Sequence, residues 1–407
     1  MSPRTLRSRP VIAGLMVSAL ALSGCSLTSN ASDEPGSTPA RAGEAPSAAE
    51  QQQSAAVVAS NIKPGAQEVD LTRKLRLTVQ DGTFEDVAVT TRRGAPVQGR
   101  LSADKTRWVS QQPLTSGTRY RVASTAVDAD GLQKSFSSGF RARVLSLDEQ
   151  TYPSFVGDGQ TVGVGMPVIV RFDVPVTDKA AIEKKLEVTS SPAQVGAFHW
   201  ISDNEVHWRP KTYWKPGTKV SVKADVGGVP AGNGIYGQVD RTMNMTIGSA
   251  MVSKVDMNSH QMQVFRNGKL LRTIPITTGE QPKFTTRSGT KVIVEKFRQK
   301  RMNSETVGID PDSADGYDID DVEYAMRVTY SGEFIHAAPW SVGSQGAANV
   351  SHGCTGMSTA NAGWLYENSK VGDVVEYTGT DRGTDLANGF GDWNTSFADY
   401  KSGSALS

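Results

Sequence analysis

The stretch from Trp108 through Pro113-Leu114-Thr115-Ser116-Gly117-Thr118-Arg119-Tyr120-Arg121-Val122 is the first copy of a pattern that occurs twice in the chain. The second copy begins at Trp208, 100 residues later, and has Gly217-Thr218 at the same distance from its Trp. In each copy a turn leads into a strand that alternates apolar and polar residues. A repeat of about 100 residues has the size of an immunoglobulin-like β-sandwich. We therefore predict two sandwiches in tandem, over residues 60–146 and 147–249.

Aromatic and histidine residues accompany these predicted strands. Tryptophans on strands bind sugar rings in some proteins, but they more often form the core of a sandwich or pack between domains. We favour core packing for all four tryptophans of this region. His199 and His207 alternate with two of them, and no further metal ligand accompanies the pair, so we predict both histidines to face solvent. The four tryptophans are Trp108, Trp200, Trp208 and Trp214.

The overall composition restricts the class of protein. There are 43 basic and 42 acidic residues, so the net charge is +1. Binding to nucleic acid requires a clustered positive field, and we therefore exclude nucleic acid as a partner. The 40 glycines and 19 prolines, with 38% hydrophobic residues, are typical of a loop-rich, mainly β protein.

The first 24 residues are organised like a bacterial export signal. Three arginines precede the apolar run Val11–Leu22, which is too short to span a bilayer comfortably. Leu22-Ser23-Gly24-Cys25 then resembles a lipobox, which implies cleavage before Cys25 and lipidation of that residue. The alternative is an ordinary cleavable signal with an incidental cysteine. We predict a signal peptide over residues 1–24 and a lipid anchor that holds the protein at the outer face of the cell membrane.

A polar segment follows the predicted anchor. Residues 25–59 are rich in Ala, Ser, Pro, Glu and Gln, a composition that cannot bury enough surface to fold. We predict a flexible spacer here. Thiols of exported proteins are usually paired, but lipidation of Cys25 would leave Cys354 without a partner. An unpaired exported cysteine is a candidate reactive thiol.

Residues 250–378 have a different pattern and are predicted to form a third, β-rich domain. Met262–Ile276 is predicted to be a hairpin, with Asn267-Gly268 at the two positive-φ positions of a type I′ turn. Thr359–Ser369 is predicted to be a short amphipathic helix. The other predicted strands are Lys291–Lys296, Glu323–Tyr330, Gly332–His336 and Asp373–Tyr377.

Two segments of this region lack a regular pattern. Phe297–Asp321 is long and polar, and a loop of this length in a compact domain is typically a binding loop or a lid. Its Asp310–Gly316 does not match a calcium loop, because Ala314 stands where an acidic ligand is required. We predict no metal and no cofactor. Residues 379–407 are predicted to be a tail that packs back on the protein, with Trp393 as its anchor.

The candidate chemistry lies at Ser351-His352-Gly353-Cys354 and at His336. A cysteine attacks acyl carbonyls as its thiolate, so it requires a nearby base. His336 ends one predicted strand and Cys354 precedes another element, and strand ends can face each other. His352 is the rival base, but adjacent residues of an extended segment point to opposite sides. We predict Cys354 as the nucleophile, His336 as the base and His352 as a residue that shapes the site. The alternative without chemistry is a buried, unreactive cysteine with structural histidines.

His336, then 14 intervening residues, then Ser351-His352-Gly353-Cys354, resembles the signature of the YkuD-type L,D-transpeptidases. The surrounding sequence is similar to the actinobacterial branch, which carries two immunoglobulin-like domains before its catalytic domain. The resemblance implies that Cys354 attacks the diaminopimelate carbonyl of a peptidoglycan tetrapeptide stem and releases the terminal D-Ala. The amine of a second stem then resolves the thioester into a diaminopimelate–diaminopimelate cross-link. It also implies that carbapenems acylate Cys354 and that the protein acts in the cell wall.

The resemblance further implies roles around the catalytic pair. The backbone carbonyl of Ala337 would orient the ring of His336. Gly353 and Cys354 amides, with His352 nearby, would hold the oxyanion. We also hypothesise that the acidic loop attracts the ammonium group of diaminopimelate. The candidate substrate-binding residues are Met302, Tyr330, Ser331, Gly332, Trp340 and Ser351.

The sequence departs from the family pattern at three positions. Gly356 stands where Asn or Arg is common, Ala337 where Ser is frequent, and Val307 where the lid usually has Tyr. The catalytic pair is intact, but substrate fit is affected. Two alternatives therefore stay open at this point. One is an L,D-carboxypeptidase or D-amino-acid exchange enzyme, in which water or a free D-amino acid accepts the acyl group. The other is a lipoprotein that binds peptidoglycan without catalysis.

Overall fold

Residues 53–407, which the computed structural model describes, form three successive pairs of principal β-sheets and a C-terminal tail. The mainly β fold class is therefore as predicted. The predicted signal peptide (residues 1–24), the predicted lipid anchor at Cys25 and the predicted spacer up to residue 52 lie outside the described residues. Among residues 53–407, no helix is both long and apolar enough to cross a bilayer.

The first pair of sheets is a sandwich with strands β1 Val57–Ser60, β2 Arg76–Gln80, β3 Thr83–Thr91, β4 Gly99–Leu101, β5 Arg107–Ser110, β6 Arg119–Val127 and β7 Gln133–Arg141. One sheet has the order β1-β2-β5-β4 and the other β3-β6-β7. The predicted spacer therefore extends too far, because β1 already begins at Val57. This strand pairs with β2, and Ala56 just before it is buried.

The second pair of sheets is larger. Its elements are β8 Gln150–Thr151, β9 Pro153–Phe155, β10 Thr161–Val162, β11 Val168–Phe172, α1 Lys179–Glu183, β12 Leu186–Ser191, β13 Gly196–Trp200, β14 Glu205–Pro210, β15 Lys219–Ala224, β16 Pro230–Gly232, β17 Ile235–Gly237 and β18 Arg241–Ile247. The two principal sheets have the orders β10-β18-β15-β12 and β13-β14-β11-β9, and a small sheet β16-β17-β8 lies beside them.

The 100-residue repeat corresponds to equivalent positions in the two sandwiches. Trp108 lies on β5 and Trp208 on β14, and both side chains are buried. The turn that follows buries Leu114 in the first sandwich and Trp214 in the second, before β6 and β15 begin. All four tryptophans of this region are buried, so the predicted core packing is confirmed.

The prediction that His207 faces solvent is wrong. Its ring is buried, with Nδ1 2.8 Å from Asp392 Oδ1 and Nε2 2.7 Å from Glu205 Oε1. Asp392 belongs to the C-terminal tail, which covers this face of β14, and nothing near His207 in the sequence signals that cover. The prediction fails in part for His199 as well, since this residue is half-buried and its Nδ1 lies 2.7 Å from the carbonyl oxygen of Tyr400.

The third domain has strands β19 Met251–Asp256, β20 Gln261–Arg266, β21 Lys269–Pro275, β22 Gly289–Val292, β23 Glu295–Asn303, β24 Asp318–Arg327, β25 Phe334–Ala337, β26 Thr355–Met357 and β27 Val374–Thr378, with helix α2 Thr359–Asn368. Its sheets have the orders β21-β20-β19-β27-β22 and β23-β24-β25-β26. The predicted turn between β20 and β21 is confirmed, because Asn267 and Gly268 both have positive φ.

The polar stretch Phe297–Asp321 consists of two strand segments and a long irregular tip between them. β23 continues to Asn303, β24 starts at Asp318, and the two strands pair antiparallel. Both strands leave most of their side chains exposed or half-buried, so the alternation that identifies a buried strand is absent from the sequence. The irregular tip, residues 304–317, is named the lid below.

The second sandwich and the third domain share one apolar core. Val292 of β22, Val374 of β27 and Phe390 belong to the same buried cluster as the strands of the second sandwich. Backbone hydrogen bonds also join them, since Gly163 N–H donates to Val371 and Gly165 N–H donates to Gly372, each over 2.8 Å. The two domains are therefore joined by buried apolar side chains and by backbone hydrogen bonds.

The C-terminal tail contains α3 Phe397–Lys401. It contacts both the second sandwich and the third domain. The indole N–H of Trp393 donates to the carbonyl of Gly165 over 2.8 Å, and its ring packs edge-on against Tyr213. Asn394 Oδ1 accepts from the Thr290 N–H of β22 over 2.7 Å. Trp393 thus contacts the second sandwich while its neighbour contacts the third domain.

Candidate active site

Two neighbouring strands bring His336 and Cys354 to one side of a sheet. β25 and β26 are parallel, with Ile335 opposite Thr355 and His336 opposite Gly356. Cys354 is two residues before Gly356, and side chains two residues apart on an extended segment lie on the same face. Both residues line one cavity of about 260 Å³. The fold therefore places the predicted nucleophile and the predicted base together.

His336 is buried and held in one orientation. Its Nδ1 lies 2.8 Å from the carbonyl oxygen of Ala337, which can only accept, so Nδ1 carries the proton. Nε2 of the neutral ring is then left as an acceptor. Burial lowers the pKa of His336, and the hydrogen bond to Ala337 offsets this in part. Because a backbone carbonyl supplies the contact, Ala in place of the frequent Ser at position 337 leaves the orientation intact.

The Cys354 thiol is a resting, protonated group. Burial raises its pKa to about 11, against a smaller lowering by a backbone hydrogen bond from Phe334. The thiol donates to the carbonyl oxygen of Gly332 over 3.6 Å. With the imidazole pKa lowered and the thiol pKa raised, both groups are neutral. Within residues 53–407 no hydrogen bond joins the thiol to His336. The sulfur must therefore turn toward the ring before it loses its proton.

The turn before Cys354 is fixed by Ser351. The Ser351 hydroxyl donates to the Cys354 carbonyl over 2.6 Å and accepts from the Gly353 N–H over 3.2 Å. Gly353 has φ +122°, a conformation that requires glycine. The Gly353 amide is thus occupied, contrary to its predicted oxyanion role. The Cys354 amide has no hydrogen-bond acceptor among residues 53–407 and is the available donor.

His352 lies in the wall of the cavity rather than beside the sulfur. Its exposed ring packs between Phe284, at 4.3 Å between centroids, and Tyr317, at 5.0 Å. Burial raises the pKa of Tyr317 to about 12, so its hydroxyl stays protonated and can donate. Sequence reasoning missed Phe284 and Tyr317, since single aromatics in polar segments give no periodic signal.

Cys354 lies between two cavities of different character. The first, described above, is lined mainly by apolar and hydroxyl side chains. The second, about 250 Å³, is lined by Lys300, Arg301 and Arg327 together with lid residues. Met302, Tyr317 and Cys354 border both cavities. A single thiol therefore faces an apolar space on one side and a cationic space on the other.

The predicted substrate-binding residues divide among several positions. Met302, Trp340 and Ser351 line the first cavity, and Tyr330 and Gly332 line the second along with Met302. Ser351 also has the structural role described above. The prediction for Ser331 is wrong, because this residue lines neither cavity. Its N–H and hydroxyl are instead hydrogen-bonded to the Asn388 side chain of the tail.

The acidic residues near the lid are already paired with cations. Asp315 lies against Lys283, and Asp318 and Asp320 both lie against Arg301. Their charge is therefore largely compensated, which weakens the case for attraction of an ammonium group by this segment. Among residues 53–407, no cluster of three or more His, Cys, Asp or Glu is placed to hold a metal ion.

Cavity size alone does not mark the site. A larger groove of about 700 Å³ lies on the first sandwich, lined by Arg92, Arg93, Arg119, Arg141 and several hydroxyl residues. It contains neither cysteine nor histidine. The smaller cavities at Cys354 are the ones in which a nucleophile, a base and a free amide converge.

We expect Gly356→Asn, which restores the common family residue, to destabilise this protein. A Cβ at Gly356 would lie 2.9 Å from Cβ of Ala338 and 3.1 Å from Cγ2 of Thr277, so these side chains fill the space. The cost is about 1–3 kcal/mol of unfolding free energy, measured by urea denaturation. Gly343→Asn is the control, because nothing lies within 4 Å of its Cβ position. Equal stability of both variants would contradict the prediction.

Comparison with known proteins places this geometry in a family. The protein-family model of the YkuD L,D-transpeptidase catalytic domain matches residues 251–376, and the family model of a bacterial Ig domain matches residues 66–230. L,D-transpeptidase 2 of Mycobacterium tuberculosis is 36% identical over 348 residues, which cover 85% of this chain and 84% of that protein. L,D-transpeptidase 1 of the same organism is 40% identical over 222 residues, 54% of this chain and 82% of that protein.

A solved structure of an L,D-transpeptidase in complex with imipenem is 39% identical and covers 55% of this chain and 97% of that chain, with a TM-score of 0.49. The similarity to L,D-transpeptidase 2 extends over most of both sequences and includes the sandwiches as well as the third domain. On that similarity, and on the match of residues 251–376 to the catalytic domain, this chain belongs to the YkuD-type L,D-transpeptidases.

Proposed function

We propose that this enzyme joins two peptidoglycan stems through a thioester on Cys354, with release of D-Ala and formation of a diaminopimelate–diaminopimelate cross-link. One observation carries the proposal: the thiol borders two separate cavities, as a transferase with a donor and an acceptor requires. A hydrolase has to admit a second substrate no larger than water. Arg301 and Arg327 of the second cavity are already paired with acidic residues, and Lys300, which has no ion pair among residues 53–407, is the cation that is free to meet a carboxylate of one stem.

The first half of the reaction uses the neutral imidazole as a base. Nε2 of His336 takes the thiol proton, and the sulfur attacks the carbonyl carbon of diaminopimelate. The Cys354 N–H donates to the oxyanion that forms. The imidazolium returns the proton to the nitrogen of the departing D-Ala, and the C–N bond breaks to leave the thioester.

The second half reverses these transfers. The side-chain amine of the second stem enters from the other cavity and attacks the thioester carbonyl. Nε2 of His336 takes a proton from the attacking nitrogen. The C–S bond then breaks, the thiol regains a proton, and an amide joins the two diaminopimelate residues.

The same thiol would react with carbapenems. A strained β-lactam carbonyl presents an acyl group of the same class as the stem peptide, and its ring opens on attack to leave an acyl-enzyme. The relative solved in complex with imipenem supports this part of the proposal.

We also propose that the protein is a lipoprotein at the outer face of the cell membrane that acts on the cell wall. The support is the lipobox-like sequence ending in Cys25 and the polar segment after it. Incorporation of a labelled fatty acid into the wild type, and its loss in Cys25→Ala, tests the anchor. Equal labelling of the two proteins would contradict the proposed lipid anchor at Cys25.

The reaction is tested with the wild-type protein and a single purified tetrapeptide stem. We expect a dimer whose mass is that of two stems less one D-Ala. A tripeptide alone would mean that water is the acceptor, and incorporation of an added D-amino acid would mean exchange. No product and no mass adduct on the protein would leave a binding protein without catalysis. Each of these three outcomes overturns the proposed cross-linking.

A further inference from the structure

A buried ion pair that the reaction does not use lies beneath the Cys354 turn. Lys291 of β22 is fully buried, and its Nζ lies 2.8 Å from Oε2 of Glu333, which is also buried. The two atoms are close enough for an ion pair, but their angles do not satisfy the geometry of a hydrogen bond. Lysine is almost never fully buried unless it is paired.

Glu333 connects the pair to the backbone around the thiol. It directly follows Gly332, whose carbonyl accepts from the thiol, and directly precedes β25. Its Oε1 accepts from the Arg287 N–H over 2.9 Å. The neighbouring Thr286 hydroxyl donates to the Gly353 carbonyl over 2.8 Å, so the segment that Glu333 holds also holds the residue before Cys354.

Lys291 connects the pair to the residue after the thiol. Its Nζ lies 3.8 Å from the ring centroid of Tyr377, and the Tyr377 hydroxyl is hydrogen-bonded to Oγ1 of Thr355 over 2.8 Å. Both Tyr377 and Thr355 are buried. The residues on each side of Cys354 are therefore held by neighbours of this one ion pair.

Stability alone does not account for such a pair. Removing two charges from water costs several kcal/mol for each ion, and apolar replacements of similar volume are often neutral or stabilising. A buried pair built beside a reactive group is therefore better explained by its effect on that group. Cys354 is the reactive group in contact range of this network.

We propose that Lys291 and Glu333 are positioning residues, which hold the backbone on both sides of Cys354 and set the electrostatic field that its sulfur experiences. The proposal rests on the proposed role of Cys354 as nucleophile. The two charges act in opposite directions: Glu333 disfavours the thiolate and Lys291 favours it. While both charges are present, they oppose each other, and burial is the largest effect on the sulfur.

The two members of the pair are not equivalent when one is removed. The charged or titratable groups that face Lys291 are Glu333, Arg287 and Cys354, with Tyr377 over its amine. Burial lowers the pKa of Lys291 to about 8 even with Glu333 present. Without Glu333, Lys291 would give up its proton readily, and both charges would vanish together. Without Lys291, the Arg287 guanidinium remains 3.5 Å from the Glu333 carboxylate, so Glu333 keeps one of its two cationic neighbours.

The test measures the ionisation of the thiol itself, by the rate of alkylation with iodoacetamide in the full chain at pH 7. We expect Lys291→Met to slow alkylation by about tenfold, because loss of the lysine charge leaves the negative field of the Glu333 carboxylate without its nearest cation and raises the thiol pKa by about one unit. Glu333→Gln should leave the rate unchanged or faster, and Lys291→Met with Glu333→Gln should regain the wild-type rate. Lys291→Arg, which keeps the charge, should also resemble the wild type.

Lys296→Met is the matched control. Lys296 is a half-buried lysine whose ammonium donates to the carbonyls of Tyr366 and Ser369, and it is expected to lose stability without a change in alkylation. A wild-type rate for Lys291→Met overturns the proposal, and so does equal slowing in both single variants without rescue in the double. If Lys291→Met fails to fold, a slow rate in the folded Lys291→Arg variant overturns it instead. Alkylation needs no stem peptide, so failure of the cross-linking assay would not imitate these outcomes.

Discussion

Replacement of His336 by Gln is expected to slow acylation of the enzyme by about 10³-fold, within the usual range for loss of a general base, and Cys354→Ala to abolish it. The reason is the resting state of the thiol. With a pKa of about 11, roughly 10⁻⁴ of the sulfur is ionised at pH 7. Gln keeps a hydrogen-bonding side chain at the same place in the cavity but cannot take a proton at neutral pH.

The measurement is the rate of adduct formation with a carbapenem, followed by intact-protein mass. His352→Gln is the control, because the His352 ring packs between Phe284 and Tyr317 and its predicted role is to shape the site. We expect less than about a tenfold change there, which corresponds to about 1.4 kcal/mol in activation free energy. Acylation of His336→Gln within tenfold of the wild type would contradict the assignment of the base.

Replacement of Asp392 by Ala is expected to lower the free energy of unfolding by about 3–5 kcal/mol, the usual cost of removing one partner of a buried ion pair. His207 lies fully buried between Asp392 and Glu205, with both ring nitrogens against carboxylates, so its ring is an imidazolium. Asp392 also accepts from the Tyr400 hydroxyl over 2.8 Å. Urea denaturation measures the loss. Asp381→Ala, at an exposed position of the tail, should change it by no more than about 0.5 kcal/mol.

The effect of Asp392→Ala should depend on pH. Burial alone would lower the pKa of His207, but Asp392 and Glu205 outweigh it and raise the value from 6.5 to about 9. The stability that the imidazolium contributes is therefore complete below pH 6.5 and lost as pH rises through 9. Burial alone would raise the pKa of Glu205, but His207 and Arg171 lower it to about 2, so its contribution is present above 4.5 and lost as pH falls through 2.

The difference in unfolding free energy between the wild type and Asp392→Ala should thus be largest near pH 5–6 and smaller at pH 10. The pKa of Asp392 is lowered from 3.8 by His207 against the effect of burial, so its contribution, like that of Glu205, is present above the unfolded value and lost at more acidic pH. A difference that does not change between pH 6 and pH 10 would show that His207 is not charged in the folded protein.

The sequence contained enough to predict the sandwiches and to single out His336 and Cys354, which the fold brings to one cavity. Trp108 and Trp208 stand in a repeat whose period equals one domain, and strand alternation reports which face is buried. His336 and Cys354 could be singled out because their residue types and spacing resemble a family signature, and their roles as base and nucleophile stay predictions. Each of these signals is local or is repeated along the chain.

The failures share a different physical cause. His207 is buried by Asp392, 185 residues away, and a local pattern does not report cover by a distant segment. Most side chains of β23 and β24 are exposed or half-buried, so these strands have no clear apolar alternation. Ser331 was grouped with its neighbours, but Asn388 of the tail occupies its hydrogen bonds. The closed space at Gly356 likewise depends on Ala338 and Thr277, which pattern reasoning does not place there.

The shared core of the second sandwich and the third domain limits how this protein can be recombined. A chimaera that joins the catalytic domain to another upstream module would expose Val292, Val374 and Phe390 and leave Trp393 without its acceptor on Gly165. The second sandwich, the third domain and the tail therefore have to be kept together when the protein is engineered. Exchange of modules is expected to succeed at the boundary near residue 146, where the first sandwich, whose buried residues form a separate cluster, ends.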